Sequence, residues 1–204
     1  MVGAGAAGDD SGMDLVLVDD HPAVRAGLRG LLEDEDDLRI VATAATAREG
    51  FEAIADLRPV LALLDLHLPD DDGLSLCLRT RTLPQAPHVV VYTAFPDSGL
   101  TVRSLIAGAD AVVAKATPAR TLLAVLRAAG AGHVRPTLDA RALRTAGERL
   151  DPDDLPILGM LAHGVPAEEI AQTLGVEPDW LVARRWAMLA KLAGRTHRRP
   201  PVAA

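Results

Sequence analysis

The chain reads as an α/β protein, a five-stranded doubly wound parallel sheet followed by a small all-α helix-turn-helix unit. Three observations predict this. From Met13 to Ala129, short apolar runs alternate with amphipathic stretches. Asp19, Asp20, Asp65, Thr93 and Lys115 stand at or just past the ends of four of those runs, LVLVDD, LALLD, VVVYT and AVVAK. After Leu150 the pattern changes to three helical periods punctuated by Gly and Pro. In an open parallel sheet the carboxyl ends of the strands line one crevice, and ligands bind there.

Strands are expected at Leu15–Val18, Ile40–Ala42, Val60–Leu64, Val89–Tyr92 and Ala111–Ala114. All but the second are almost continuously apolar, as strands covered on both faces must be. Helical periods fall between them at about Ala23–Glu33, Ala47–Asp56, Leu74–Arg81 and Ser98–Ala107. Pro118–Ala129 follows the last strand, with Pro118 where a missing N–H costs nothing. Such strand–helix units wind a parallel sheet through right-handed crossovers. The sheet domain is therefore expected over residues 13–129.

Residues 130–149, rich in Gly, Ala and Arg around Pro136, read as a linker with some helical character. Residues 150–194 hold the helix-turn-helix unit. Leu155, Leu158 and Leu161 recur at helical spacing before Gly164; PAEEIAQTLG runs from Pro166 to Gly175; and EPDWLVARRWAMLAKLAG carries Pro178 in its first turn. Residues 1–12 read as a disordered tail, and 195–204 as a basic, proline-containing one.

The composition narrows the classes. An apolar share of 49% supports a real core, but aromatics are only 2%, so Leu, Val and Ala must fill it. A formal charge of −7 excludes a uniformly basic nucleic-acid binder. The charge is uneven, however: no acid follows Asp179, whereas Arg184, Arg185, Lys191, Arg195, Arg198 and Arg199 do. Cys77 is the only cysteine, which excludes a disulfide framework and a thiolate metal cluster. No apolar run is long enough to span a membrane, and the N-terminal residues lack the basic and apolar regions of a secretion signal. A cytoplasmic protein is expected.

Three neighbouring carboxylates repel one another, and a hard divalent cation such as Mg²⁺ relieves that repulsion with oxygen ligands. One carboxylate can then act as a nucleophile and form an aspartyl-phosphate. Lys115 would pair with the phosphoryl oxygens, and the Thr93 hydroxyl would hydrogen-bond to them. Lysine occurs here only as Lys115 and Lys191, in a chain rich in arginine. A compact point charge at the crevice therefore suggests a specific task.

LVLVDDHPAVRAGL, LALLDLHLPDDDGL, VVVYTAF and AGADAVVAKA resemble, in order and spacing, the receiver domain of bacterial two-component response regulators, a flavodoxin-like sheet. The resemblance implies that Asp65 is phosphorylated by a sensor histidine kinase. It also implies that Asp20 and Asp65 ligate Mg²⁺ directly, Asp19 through water and His67 by its backbone carbonyl. Ala94 is small enough for its N–H to approach the phosphoryl group, and His67 and Phe95 flank the path of the hydrolytic water. In this family an aromatic on the fifth strand follows the threonine inward on phosphorylation. Here that position is Val112, and Tyr92, on the fourth strand, is not equivalent.

LDPDDLPILGMLAHGVPAEEIAQTLGVEPDWLVARRWAMLAKL resembles the helix-turn-helix of the LuxR/NarL/FixJ class. The resemblance implies DNA contacts by Val182, Ala183, Arg184, Arg185, Trp186 and Lys191. Val182, Ala183 and Trp186 replace the usual polar or basic groove-facing residues, and Arg185 falls where a buried apolar residue is usual. This class normally has a fourth helix after the third that helps the unit dimerise; here GRTHRRPPVAA follows, and Pro200 and Pro201 are expected to preclude a long helix. A homodimer is therefore expected to rest on the receiver, the linker or the third helix. The leading expectation is a response-regulator transcription factor, not an enzyme. The alternative is an atypical regulator with phosphorylation-independent DNA binding or a protein-interaction output. An aspartyl-phosphate phosphohydrolase is disfavoured, because such enzymes carry their nucleophile on the first strand in a D-x-D motif.

Overall fold

The computed structural model describes residues 12–194. The readings of both chain ends fall on residues outside that range, Gly12 excepted. The strands are β1 (Met13–Val18), β2 (Leu38–Ala44), β3 (Leu61–Asp65), β4 (His88–Thr93) and β5 (Ala111–Ala114). Between and after them run α1 (Pro22–Leu32), α2 (Ala47–Leu57), α3 (Gly73–Thr80), α4 (Ser98–Ala107) and α5 (Ala119–Gly130). The sheet order is β2-β1-β3-β4-β5 and every neighbouring pair is parallel.

The period-2 geometry of the strands explains why they read as continuous apolar runs. Val16, Val18, Ala62, Leu64, Val89 and Val91 point to one core, which includes residues of α2, α3 and α4. Leu15, Leu17, Leu61, Leu63, Val90 and Tyr92 point to the other, shared with α1 and α5. The edge strand β2 is covered less: Arg39 is exposed and Ile40–Thr43 are half-buried. That is why its apolar signal covers only part of Leu38–Ala44. Its pairing with β1 continues at both ends, through a register shift at Leu15/Val16.

Helix starts follow local hydrogen bonding. The side chains of Thr46, Asp72 and Asp97 accept from the backbone N–H of Glu49, Ser75 and Leu100 and cap α2, α3 and α4. Gly108, at φ +89°, closes α4 in the left-handed region.

Four more helices follow α5 or the segment after it: α6 (Ala140–Gly147), α7 (Leu155–Ala162), α8 (Ala167–Leu174) and α9 (Pro178–Ala193). A 3₁₀ turn at Pro152–Asp154 precedes α7. The segment read as a linker thus contains α6, capped by Asp139.

These helices pack on the sheet domain. The apolar cluster on the α2–α4 side of the sheet continues through Ile157, Leu158, Leu161, Ile170, Leu181, Met188 and Leu192. The joint is α4, which touches α6, α7 and α9. Its buried residues include Leu100, Val102, Ser104 and Ile106. Steps of two residues cannot share one face of a helix, so α4 is covered on several sides. The sheet lies on one of them and the C-terminal helices on another.

Candidate phosphoacceptor site

The parallel strands carry the acidic and basic side chains to one end of the sheet. Asp19 follows β1, Asp65 ends β3, Thr93 ends β4 and Lys115 follows β5. Asp19, Asp65 and Thr93 are buried, Asp20 is half-buried, and His21 is exposed. Ligand atoms of Asp19, Asp20, His21 and Asp65 lie within 4.8 Å of one another. Lys115 Nζ sits 2.6 Å from Asp19 Oδ2 and 2.9 Å from Asp65 Oδ2. Burial opposes the charge on Lys115, but hydrogen bonds and attraction from Asp19 and Asp65 outweigh it and raise its pKa. Lys115 is therefore held as an ammonium between the two carboxylates.

The surroundings fix these groups. Asp19 N donates to Ala44 O at 3.1 Å and Lys115 N to Thr93 O at 2.7 Å. His21 N donates to Asp19 Oδ1 at 2.9 Å, turning the chain sharply after the acidic pair. Gly73 N donates to Leu66 O at 2.8 Å, and a Cβ on Gly73 would lie 2.0 Å from the Asp65 carbonyl oxygen. Only glycine permits this approach, so the shape of the loop after β3 has a steric cause at Gly73. Asp70 accepts from the N–H groups of Ala47 and Arg48 at 2.7 and 3.0 Å, tying the loop after Asp65 to the start of α2. Neither that tie nor the bond from Tyr92 Oη to the Lys115 carbonyl oxygen, 3.2 Å, was legible in the motifs. Tyr92 anchors the lysine loop although it is not the relay aromatic.

The donor set suits a divalent cation. Asp19 Oδ2 and Asp20 Oδ1 are buried and accept no hydrogen bond from a backbone N–H, meeting only the side chains of Lys115 and His21. Carboxylate oxygens left this way favour a hard cation with oxygen ligands. His21 Nδ1 lies 2.5 Å from Asp20 Oδ1 and 3.4 Å from Asp19 Oδ1. His67 and Phe95 are both exposed beside the site, Phe95 at 81%. The His67 backbone bridges to Asp72.

The residues expected to meet DNA are placed differently. Arg184 pairs with Asp154 and, at 3.3 Å, with Asp151. Lys191 pairs with Asp151 and, at 3.3 Å, with Asp154. The Lys191 ammonium beside it holds the Asp151 carboxyl below its ordinary range. Arg185 is buried, and its Nε donates to the carbonyl oxygen of Ile106 on α4 at 2.6 Å. Val182 and Trp186 are half-buried, and among the six residues only Ala183 is exposed. In this closed arrangement the three cations of α9 hold the structure together and do not face solvent as a basic surface. Between residues 150 and 194, seven acidic residues against three basic ones leave a formal charge of −4. Glu168, Glu169, Glu177, Asp179 and Trp180 are all exposed on α8 and the start of α9.

Comparisons with known proteins agree with this architecture. The family model for the response regulator receiver domain matches residues 15–127. The chain is 31% identical over 190 residues to the nitrate/nitrite response regulator protein NarL of Escherichia coli, covering 87% of this chain and 88% of NarL. It is 31% identical over 189 residues to the DNA-binding transcriptional activator DevR/DosR of Mycobacterium tuberculosis, covering 86% of both chains. A LuxR-family two-component response regulator from Aurantimonas sp. SI85-9A1 superposes with a TM-score of 0.58 at 30% identity, over 69% of this chain and all of that one. The response regulator RcsB, solved in a complex with DNA, shares the fold over 92% of this chain at 21% identity and a TM-score of 0.58. The sheet order, the acidic crevice with its lysine and the trailing helices therefore make this chain a member of the response-regulator family, of the LuxR/NarL type.

Proposed function

We propose that the protein is a response-regulator transcription factor switched by phosphorylation of Asp65. One observation carries this reading: Asp19, Asp20 and Asp65 converge with Lys115 at the carboxyl end of the sheet, with Lys115 Nζ 2.9 Å from Asp65 Oδ2. Asp65 attacks the phosphorus of a phosphohistidine on a partner sensor kinase. A new O–P bond forms, the N–P bond breaks, and the departing imidazole keeps the electron pair. Mg²⁺, held by Asp19, Asp20, Asp65 and the His67 carbonyl, would neutralise charge on the transferring group. Lys115 pairs with a phosphoryl oxygen and the Thr93 hydroxyl donates to another, giving both groups new partners. The output is DNA binding by the α8–α9 unit as a homodimer, two copies of α9 being placed one DNA turn apart. Because α9 packs on α4, this output requires release of the C-terminal helices. No helix among the described residues is long and apolar enough to cross a membrane. The site of action we propose is the cytoplasm.

A second reading has its own support. DNA affinity rests largely on phosphate neutralisation by Lys and Arg. The −4 charge of residues 150–194 and the engagement of Arg184, Arg185 and Lys191 favour a protein-contact output. The test is a mobility shift and a sizing measurement on wild type and Asp65→Asn, with and without a small phosphodonor and Mg²⁺. Phosphate-dependent DNA binding by wild type alone supports the first reading. Phosphate-independent DNA binding points to constitutive output, and no DNA binding in either state points to a protein partner.

A further inference from the structure

The carboxyl end of α4 is capped in an unusual way. The last carbonyls of a helix have no partner inside it. Here Ser104 O and Leu105 O accept from the backbone N–H groups of Ala109 and Gly108, both at 2.9 Å. The next three carbonyls are taken by three side chains. Arg185 Nε donates to Ile106 O at 2.6 Å, Cys77 Sγ to Ala107 O at 3.3 Å and Arg81 Nη2 to Gly108 O at 2.5 Å. Two of these side chains come from α3 and the residue that caps it. The third comes from α9, in the other half of the molecule.

Arg185 is a costly residue to place here. It lies 3% exposed on the stripe Leu181–Arg185–Met188–Leu192, where its neighbours on either side are apolar. It forms no ion pair among the described residues, and Arg81 faces it. Burial, with a smaller push from Arg81, lowers its pKa to about 10. A Cβ on Gly108 would lie 2.7 Å from Arg185 Nη2, so the guanidinium fits against a residue that has no side chain. What stabilises it is the carbonyl of Ile106 and the negative end of the α4 dipole. Both belong to the receiver half, so these protein partners replace water around Arg185 only while the C-terminal helices stay docked.

The same helix begins at the site. Asp97, four residues past Thr93, caps α4, and its ten residues span about 15 Å to the Arg185 contact. The fifth-strand position that would carry an aromatic relay is Val112, half-buried on the α4 side of the sheet.

We propose that Arg185 is a positioning residue that fastens the C-terminal unit to the receiver by completing the cap of α4, and that α4 carries the state of the Asp65 crevice to that contact. The first half stands on the contacts alone; the second rests on the reading of Asp65 as phosphoacceptor. Cys77, buried beside Arg185 and the only cysteine in the chain, is a native reporter of the closed state. Burial pushes its thiol up to about 11, so it reacts slowly while covered.

The test uses the full chain. Thiol alkylation and small-angle scattering are measured on wild type, Arg185→Met and Arg185→Lys without phosphodonor, with far-UV dichroism as the check on folding. Arg185→Met is expected to label on the order of tenfold faster and to expand, within the usual range of coupling between sites. Arg185→Lys, which keeps a cation, is expected to label close to the wild-type rate even where Arg185→Met folds poorly. Wild-type labelling and size in a folded Arg185→Met overturn the tie. Phosphodonor should speed labelling in wild type and add little in Arg185→Met. Wild type that carries a phosphoryl group on Asp65 and labels no faster overturns the coupling through α4 and leaves the phosphoacceptor reading intact. No phosphoryl group on Asp65 at all overturns both.

Discussion

Individual residues in this protein divide by what their charges face. Lys115 is the clearest case, an ammonium within 3 Å of two buried carboxylates, with Tyr92 holding its backbone. In the proposed function it would compete with a divalent cation for the same oxygens and pair with the phosphoryl group. Lys115→Met is therefore expected to bind Mg²⁺ at least as tightly as wild type and to lose most phosphodonor labelling of Asp65. Equilibrium dialysis and intact mass would check the two halves, and weaker Mg²⁺ binding would contradict the competition. Asp19, Asp65, Thr93 and Lys115 were legible in the sequence because strand ends are easy to place and a parallel sheet gathers them. Arg184, Arg185 and Lys191 were legible only as charges. Their partners, Asp151, Asp154 and the Ile106 carbonyl, lie 30 to 79 residues away, and no local pattern reports such a pairing.

At the scale of elements, each strand and helix between Met13 and Gly130 was foreshadowed by apolar period and by turn chemistry. The boundaries moved where backbone pairing or capping outruns the side-chain pattern, as in β2. Glycines show how tightly elements meet. Gly73 lies where a Cβ would be 2.0 Å from the Asp65 carbonyl oxygen, whereas Gly30, in α1, has nothing within 4 Å. Overpacking against backbone costs roughly 1–3 kcal/mol, and replacing a helical glycine by alanine gains up to about 1 kcal/mol. Gly73→Ala should therefore lower stability by about 2 kcal/mol or more and disturb the site, while Gly30→Ala should raise stability. Urea unfolding would report both, and equal effects would contradict the packing. The double burial of α4 was written in the spacing Leu100, Val102, Ser104 and Ile106, but spacing alone does not say what covers the second side.

For the whole molecule, the structure joins an acidic crevice holding one lysine to a helical unit that, over residues 150–194, carries net negative charge and keeps its cations occupied. The two halves share one apolar cluster and one helix, α4, so a change at the crevice has a contiguous path to α9. The domain order was legible from composition and motif. The docking was not, because it depends on how two separately folded surfaces meet. The proposed switch turns on Asp65 as the phosphoacceptor. Its most direct test is intact mass and peptide mapping of wild type and Asp65→Asn after a small phosphodonor with Mg²⁺. Wild type is expected to gain one phosphoryl group, mapped to Asp65 and lost when Mg²⁺ is chelated before the reaction, and Asp65→Asn none. A phosphoryl group gained by Asp65→Asn, or none gained by wild type, would contradict the account.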